Sequence, residues 1–239
     1  MQIIEWGNFL KQGLPLNNNS AAMTVGFFDG VHRGHRALID RIVLQTRQEG
    51  GFSPVIITFR KKNNANDIYS FRQKIECFRE HGIAFTVVAD LTKTFMQKSG
   101  KEFLKLLKER GKMGFLAIGS NFCCGHNRDT DAQTVKKINA ESGIPTEIIE
   151  VIAEEGIRIS SSRIREAIIS GNLGEAAAML GRPVVLDITA PGLVLPPDGW
   201  YKVLLYDKNG GKKTEEIHID NRTVNPGSFS KLDFIEFLA

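Results

Sequence analysis

Cysteine is scarce. The 239 residues hold three, Cys77, Cys123 and Cys124, and an odd set with one adjacent pair cannot build a disulfide framework. Neighbouring thiols also close a tetrahedral metal site poorly, and no second pair follows. Free thiols in a reducing cytoplasm are the expectation. Long apolar runs are missing too: none approaches the roughly 18 residues of a membrane-spanning helix, and no leader-type segment opens the chain. Excess charge is small, since 31 Lys and Arg against 27 Asp and Glu leave +4. That mild basicity suits phosphorylated ligands, but no basic stripe interleaved with aromatics marks a nucleic-acid binder. Neither nucleic acid nor a membrane is therefore an expected partner. Repeats and low-complexity segments are absent. What remains, 42% hydrophobic and 24% charged, can fill a core without staples, in one large domain or one plus a small one.

The chain is organised around Met23–Arg41, MTVGFFDGVHRGHRALIDR. Met23–Phe28 reads as a short apolar strand and Asp29–Gly34 as a glycine-rich turn. A helix then starts near His35, with Ala37, Leu38, Ile39, Ile42 and Val43 largely on one face. Strand, turn and helix start together make an anion site. Backbone N–H groups point outward there, the helix dipole adds positive charge, and glycines let a phosphate come close. His32 and His35 flank Gly34, and imidazoles at such a turn can donate to oxygens that gain charge in phosphoryl or nucleotidyl transfer.

Strand and helix patterns alternate on either side. Met1–Leu10 is expected as a short strand or packing segment, followed by a polar linker through Ser20. Pro54–Phe59, Ala84–Ala89, Phe115–Gly119 and Thr146–Ile152 read as strands. Ser70–Gly82, Lys101–Arg110 (capped by Gly111) and Ala132–Ser142 read as helices. Pro54–Phe59 is apolar on both faces, which fits a parallel sheet buried on both sides. Short connections between alternating elements predict a doubly wound α/β fold, whose ligands bind beyond the carboxyl ends of the strands. The first turn, the Arg60-Lys61-Lys62 loop after Phe59 and the loop after Gly119 should open on that edge.

Two further stretches carry chemistry. In the loop Gly119–Asp131, Asn121 can read the edge of a flat heterocycle while Phe122 packs on its face. In Ile159-Ser160-Ser161-Ser162-Arg163-Ile164-Arg165-Glu166, serine hydroxyls precede an amphipathic helix, with Ser162 and Glu166 near capping-box spacing. Such a start binds phosphate, and Arg163 and Arg165 add mobile positive charge. From residue 184 the pattern changes. Val184–Ile188, Trp200–Tyr206 and Glu215–Ile219 read as strands separated by Pro-Gly, Asp-Gly and Asn-Gly turns. A first domain of residues 1–183 and a small β-rich domain of 184–239 are expected.

Gly26, Phe28, Asp29, Gly30, His32, Gly34 and His35 spell G-x-F-D-G-x-H-x-G-H, which resembles the signature of the HxGH nucleotidyltransferases. The F-D-G-V-H wording is most similar to the adenylyltransferase module of prokaryotic FAD synthetases, which is usually fused to a riboflavin kinase. The loop after Gly119 resembles the family's G-x-(D or N)-F-x-F-G-x-x-R-x-G-D, matching at Gly119, Asn121, Phe122, Gly125, Arg128 and Asp131, with Cys124 for an aromatic and Thr130 for a glycine. Ile159–Arg165 is similar to I-S-S-T-R-I-R. Thr58-Phe59 matches the start of T-F-x-P-H-P, but the P-H-P is missing. Three motifs in order span about residues 15–183. The tail weakly resembles pieces of the kinase barrel, at less than half its usual size and without its P-T-A-N stretch.

The resemblance implies a Rossmann-like HxGH nucleotidyltransferase fold and transfer of AMP from Mg-ATP to FMN, giving FAD and pyrophosphate, without kinase activity. It implies that His32 and His35 contact the α- and β-phosphates, and that Ser160, Ser161, Ser162, Arg163 and Arg165 meet the departing pyrophosphate. Gly26, Phe27, Phe28, Asp29, Gly30 and Gly34 shape the ATP side, and Phe59, Asn121, Phe122, Gly125 and Arg128 serve the flavin. Mg²⁺ is expected with ATP, with no ligand set evident. Two other readings stay open: a sister enzyme with a different phosphorylated acceptor, and a non-catalytic flavin-nucleotide binding module.

Overall fold

A computed structural model describes residues 1–60, 66–150, 152–154, 156–221, 223–225 and 232–238. Lys61 and Lys62 of the basic triplet lie outside the described residues. The chain divides into two compact units, each gathered from separate stretches: Met1–Phe28, His35–Lys62 and Glu76–Val151 in the first, and Asp29–Gly34, Asn63–Ile75 and Ile152–Ala239 in the second.

The first unit is an α/β layer structure. Its strands are β1 (Gln2–Glu5), β2 (Ser20–Gly26), β3 (Phe52–Arg60), β4 (Phe85–Asp90), β5 (Met113–Gly119) and β8 (Thr146–Ile149). They pair in parallel in the order β1-β4-β3-β2-β5-β8. Helices α1 (Trp6–Gln12), α2 (Arg33–Gln48), α3 (Phe71–Glu80), α5 (Gly100–Gly111) and α6 (Ala132–Ala140) alternate with them. Burial explains the sequence pattern: Val55, Ile56 and Ile57 are all fully buried, because β3 has protein on both faces. On one face Met23, Val25, Val55, Ile57 and Leu116 pack with Phe9, Leu104, Leu107 and Val135. Burying each such side chain stabilises the fold by about 1.5–3 kcal/mol.

β2 sits between β3 and β5, so the chain builds one half of the sheet, then returns to build the other. The crevice at that reversal lies beyond the carboxyl ends of β2 and β5, the place where open α/β sheets take ligands. Phe27 and Phe28 follow β2, and Ser120–Phe122 follow β5. Between β5 and α6 lie two short strands, β6 (Cys123–Cys124) and β7 (Thr130–Asp131), paired antiparallel.

Local chemistry differs from expectation at two ends. The segment before the linker is an edge strand running straight into a helix, α1, whose Trp6 joins Phe9, Phe95 and Phe103. At the end of α5 the left-handed residue is Lys112 (φ 49°), not Gly111. Gly111 is inside the helix because a Cβ there would meet Met23 Cε at 2.4 Å, so glycine lets α5 lie close on β2.

In the second unit a strand pair, β9 (Ala153–Glu154) and β10 (Ile157–Arg158), leads into α7 (Ser161–Ile169) and α8 (Leu173–Leu180). The expected Ser162–Glu166 capping box is not formed. Ser160 is the cap and its hydroxyl accepts from the Arg163 N–H at 3.2 Å, because its extended backbone lets the side chain turn back over the first turn. The tail is a five-stranded antiparallel sheet in the order β11 (Val185–Asp187), β15 (Leu232–Phe237), β12 (Gly199–Asp207), β13 (Lys212–Asp220), β14 (Thr223–Asn225). Val203, Leu205, Ile217, Ile219, Ile235 and Phe237 are buried, whereas Trp200 is exposed, stacked across β12–β13 on His218. Asp187 is buried, and it accepts from Ser70, Arg72 and Thr189. Residues 152–183 cluster with this sheet.

Candidate active site

The first unit carries a cavity of about 500 Å³ at the carboxyl ends of its strands. Phe27 comes from the end of β2, Phe59 from β3, Leu91 from just past β4, and Phe122 from just past β5. Four neighbouring parallel strands thus each send a residue to one edge. Phe27 and Phe59 have ring centroids 5.1 Å apart, Phe59 and Phe95 5.8 Å, and Phe95 and Phe103 6.0 Å. Such walls suit a flat aromatic ligand. Lys98, His126 and Arg128 add polar groups to the lining.

The loop between β6 and β7 is fixed by backbone contacts. Gly125 has φ +84°, and a Cβ there would meet Asp129 Oδ1 at 2.1 Å and the Gly100 nitrogen at 2.2 Å. Asp129 Oδ1 accepts from the Gly100 N–H (3.0 Å) and the Thr130 hydroxyl (2.7 Å), and these bonds hold its carboxyl below the usual range. Thr130 is accommodated because residue 100 is glycine: a Cβ on Gly100 would meet Thr130 Oγ1 at 2.2 Å. The His126 N–H donates to the Lys98 carbonyl at 2.7 Å. Of the two thiols, burial pushes Cys124 up to about 12, with Asp129 and Cys123 adding to the effect. It is a packing group, not a reactive one.

In the second unit the turn Asp29–Val31 bends through positive φ at Gly30 (72°) and Val31 (38°). Three consecutive carbonyls are held from outside it. Asp29 O accepts from the Ser161 hydroxyl (3.1 Å), Gly30 O from Arg182 (2.8 Å) and Val31 O from Arg182 (3.2 Å). Arg182 also donates to the Tyr69 hydroxyl at 2.7 Å and lies over its ring. The Asp29 carboxylate is 7% exposed; it accepts from the Ile68 and Tyr69 N–H groups and from Arg165 at 3.0 Å. His32 is 6% exposed. Burial lowers its pKa to about 4; Asp29 opposes this and Arg182 and Arg158 assist it, so the imidazole is neutral at pH 7. Gly34 has its own reason: a Cβ would meet the His32 ring at 3.3 Å.

Against the expected residues, Phe59, Phe122, Gly125 and Arg128 all line the cavity, while Asn121 is exposed and outside its lining. Phe27, expected on the ATP side, has its side chain in the aromatic cavity instead. The Phe28 side chain is part of the core. It is fully buried, edge-on to Phe78 (5.5 Å) and His35 (5.1 Å), and Gly26 leaves room for its ring. Asp29 is committed to the turn by its buried carboxylate. Arg163 is not mobile charge: its guanidinium bridges Glu175 (2.8 Å) and the carbonyls of Glu154 and Ile157. Arg165 is tied to Asp29. Ser161 bonds the turn and Ser162 is exposed on the first turn of α7. Arg60 faces Glu5 and Asp90.

Sequence reasoning missed Leu91, Phe95, Met96 and Lys98 in the cavity, and Tyr69, Arg158 and Arg182 around the turn. Phe95 sits in a four-residue helix, α4 (Lys93–Met96), too short to show a period. Arg182 follows Gly181 directly, and that glycine, a helix stop at φ 68°, was the available signal. Among the described residues no group of three or more His, Cys, Asp or Glu could hold a metal, and no helix is long and apolar enough to cross a membrane.

Known proteins match this arrangement. The family model for FAD synthetase matches residues 14–163. The bifunctional riboflavin kinase/FMN adenylyltransferase of Escherichia coli (strain K12) is 29% identical over 174 residues, 69% of this chain and 55% of that protein. The chain thus spans about half the length of that relative. The FAD synthetase of Listeria monocytogenes is 25% identical over 208 residues, 78% of this chain and 82% of that protein. A crystal structure described as a macrolide-efflux protein from Streptococcus pneumoniae superposes with a TM-score of 0.82 over 98% of this chain and 89% of that one. At 19% identity it bears on the fold alone. With the family model matching well over half its length, the chain belongs to the FAD synthetase family.

Proposed function

We propose that this protein is an FMN adenylyltransferase, moving AMP from ATP to FMN to give FAD and pyrophosphate. The observation that carries the reading is the cavity walled by Phe27, Phe59 and Phe122 in a chain of this family. It is of a size and flatness to take an isoalloxazine ring, with Lys98 and Arg128 as cations for a phosphate. On the ATP side, the Asp29–Gly34 turn, His32, His35 and the start of α7 with Ser160, Ser161, Ser162 and Arg165 are the groups for the phosphates. Gly26, Gly30 and Gly34 instead make room inside the fold, for the Phe28 ring, Ile68 and the His32 ring.

In the reaction an FMN phosphate oxygen attacks the α-phosphorus and pyrophosphate leaves in line. The phosphate is already ionised at neutral pH, so no protein base is needed. Catalysis is then positioning plus stabilisation of charge on the α- and β-phosphate oxygens. Neutral His32 contributes one N–H donor without bringing a charge that must be desolvated. Arg163 acts here as a positioning residue, holding α8 and the β9–β10 pair through Glu175 and two carbonyls. Magnesium enters as part of the substrate, on the phosphates of ATP. Riboflavin kinase activity is not part of the proposal, since the P-T-A-N stretch is missing.

The test is product analysis with Mg-ATP and FMN, in which FAD and pyrophosphate should appear in equal amounts. Phe59→Ala should raise KM for FMN roughly tenfold, the scale of one lost ring contact, and leave KM for ATP unchanged. Riboflavin with ATP should give no FMN. Absence of FAD from the wild-type reaction would overturn the assignment.

A further inference from the structure

Three successive peptides of the Asp29–Val31 turn give their carbonyls to side chains of the same unit, and one arginine takes two of the three. That arginine, Arg182, comes 151 residues after Val31 in the chain, just past α8, and no motif assigned it a task. The geometry points to Arg182 as the positioning residue of the His-x-Gly-His turn, the group that aims the turn's N–H donors and His32 at the phosphates. This inference rests on the reading of the turn as the ATP side.

Peptide planarity supplies the first part of the argument. In a trans peptide the C=O and the following N–H point in opposite directions. When Arg182 draws the carbonyls of Gly30 and Val31 to itself, the N–H groups of Val31 and His32 are turned the other way. Ser161 does the same for the N–H of Gly30 through the Asp29 carbonyl. Successive N–H groups oriented together are the make-up of an anion cradle.

Strain supplies the second part. Val31 is β-branched and sits at φ 38°, a strained conformation that persists only where its surroundings over-determine it. A planar guanidinium does this well, because its fork reaches both carbonyls while its Nε donates to the Tyr69 hydroxyl. Lysine, a single ammonium on a flexible stem, cannot hold all three acceptors in that plane. Arg182 also stands near enough to His32 to act on its protonation, alongside Asp29 and Arg158. One side chain therefore reaches both the backbone and the imidazole of the turn.

Two variants separate these effects. Arg182→Lys keeps the charge and loses the fork; Arg182→Met loses both. The probes are inorganic pyrophosphate, measured by calorimetry, FMN binding, measured by flavin fluorescence, and the pH titration of His32, followed by NMR. Arg182→Lys should weaken pyrophosphate binding at least tenfold, with FMN binding held within twofold. Arg182→Met should weaken it at least as much and move the His32 midpoint upward from about 4. Pyrophosphate affinity within twofold of wild type in Arg182→Lys overturns the inference. If both variants lose FMN binding too, the chain has misfolded, and Tyr69→Phe takes their place. It removes one Arg182 partner and keeps the charge. Weaker pyrophosphate binding with an unchanged circular dichroism spectrum supports the role, and unchanged binding overturns it. Should the wild-type protein bind no pyrophosphate, the ATP reading of the turn fails. The positioning of the turn's N–H groups for phosphates is then overturned with it, whereas binding in the wild type that is unchanged in Arg182→Lys overturns the positioning role alone.

Discussion

His32 is buried and neutral, and that has a price in acid. Its folded pKa of about 4 lies below the ordinary value of 6.5, so as pH falls the unfolded chain takes up the proton first. The stability linked to the neutral imidazole is full above pH 6.5 and is lost as pH falls toward 4. At pH 5 the loss amounts to about 2 kcal/mol. Urea unfolding at pH 7.5 and pH 5 should therefore show a stability drop in the wild type that is clearly smaller in His32→Asn. Equal drops in the two proteins would mean that His32 does not titrate as its burial requires. The histidine itself was legible in the sequence, as was the glycine beside it. What the sequence could not tell was which polar side chains are already engaged. Asp29, Arg163 and Arg165 look like ligand contacts in the one-dimensional motif. In space their partners, at Ile68, Glu175 and Asp29 itself, are 12 to 136 residues away.

At the scale of elements, alternation of strand and helix carried the fold. Parallel strands buried on both faces write short runs of apolar residues, and these set β2, β3, β4 and β5 in place along the chain. The pairing order, and with it the crevice between β2 and β5, comes from non-local contacts that no run reveals. The same holds for the cavity: Phe59 and Phe122 were read from their motifs, whereas Phe95 enters from a single-turn helix with no period of its own. The β6–β7 loop then shows how a motif glycine acts. At Gly125 any side chain would be strained by φ +84° and would meet Asp129 Oδ1 and the backbone of Gly100. Gly125→Ala should displace the loop, raising KM for FMN more than tenfold and lowering the melting temperature, with KM for ATP little changed. Steady-state kinetics with each substrate varied in turn checks this. An unaltered KM for FMN would remove the loop from acceptor binding.

At the scale of the whole molecule, the two compact units are not two lengths of chain. The six residues 29–34 leave the first unit and return to it, and they hold the centre of the sequence motif. A composition change at residue 184 marks where the five-stranded antiparallel sheet begins, but compactness depends on contacts such as those of Arg182 with Gly30 and Val31, which composition cannot express. The proposed chemistry is transfer of an adenylyl group to FMN. The most direct measurement follows isotope from ATP labelled with ³²P at either the α- or the γ-phosphate, with Mg²⁺ and FMN present. The account predicts that α-label appears in FAD and γ-label only in pyrophosphate. Label from the γ-phosphate on the flavin, or α-label that never reaches FAD, would contradict it.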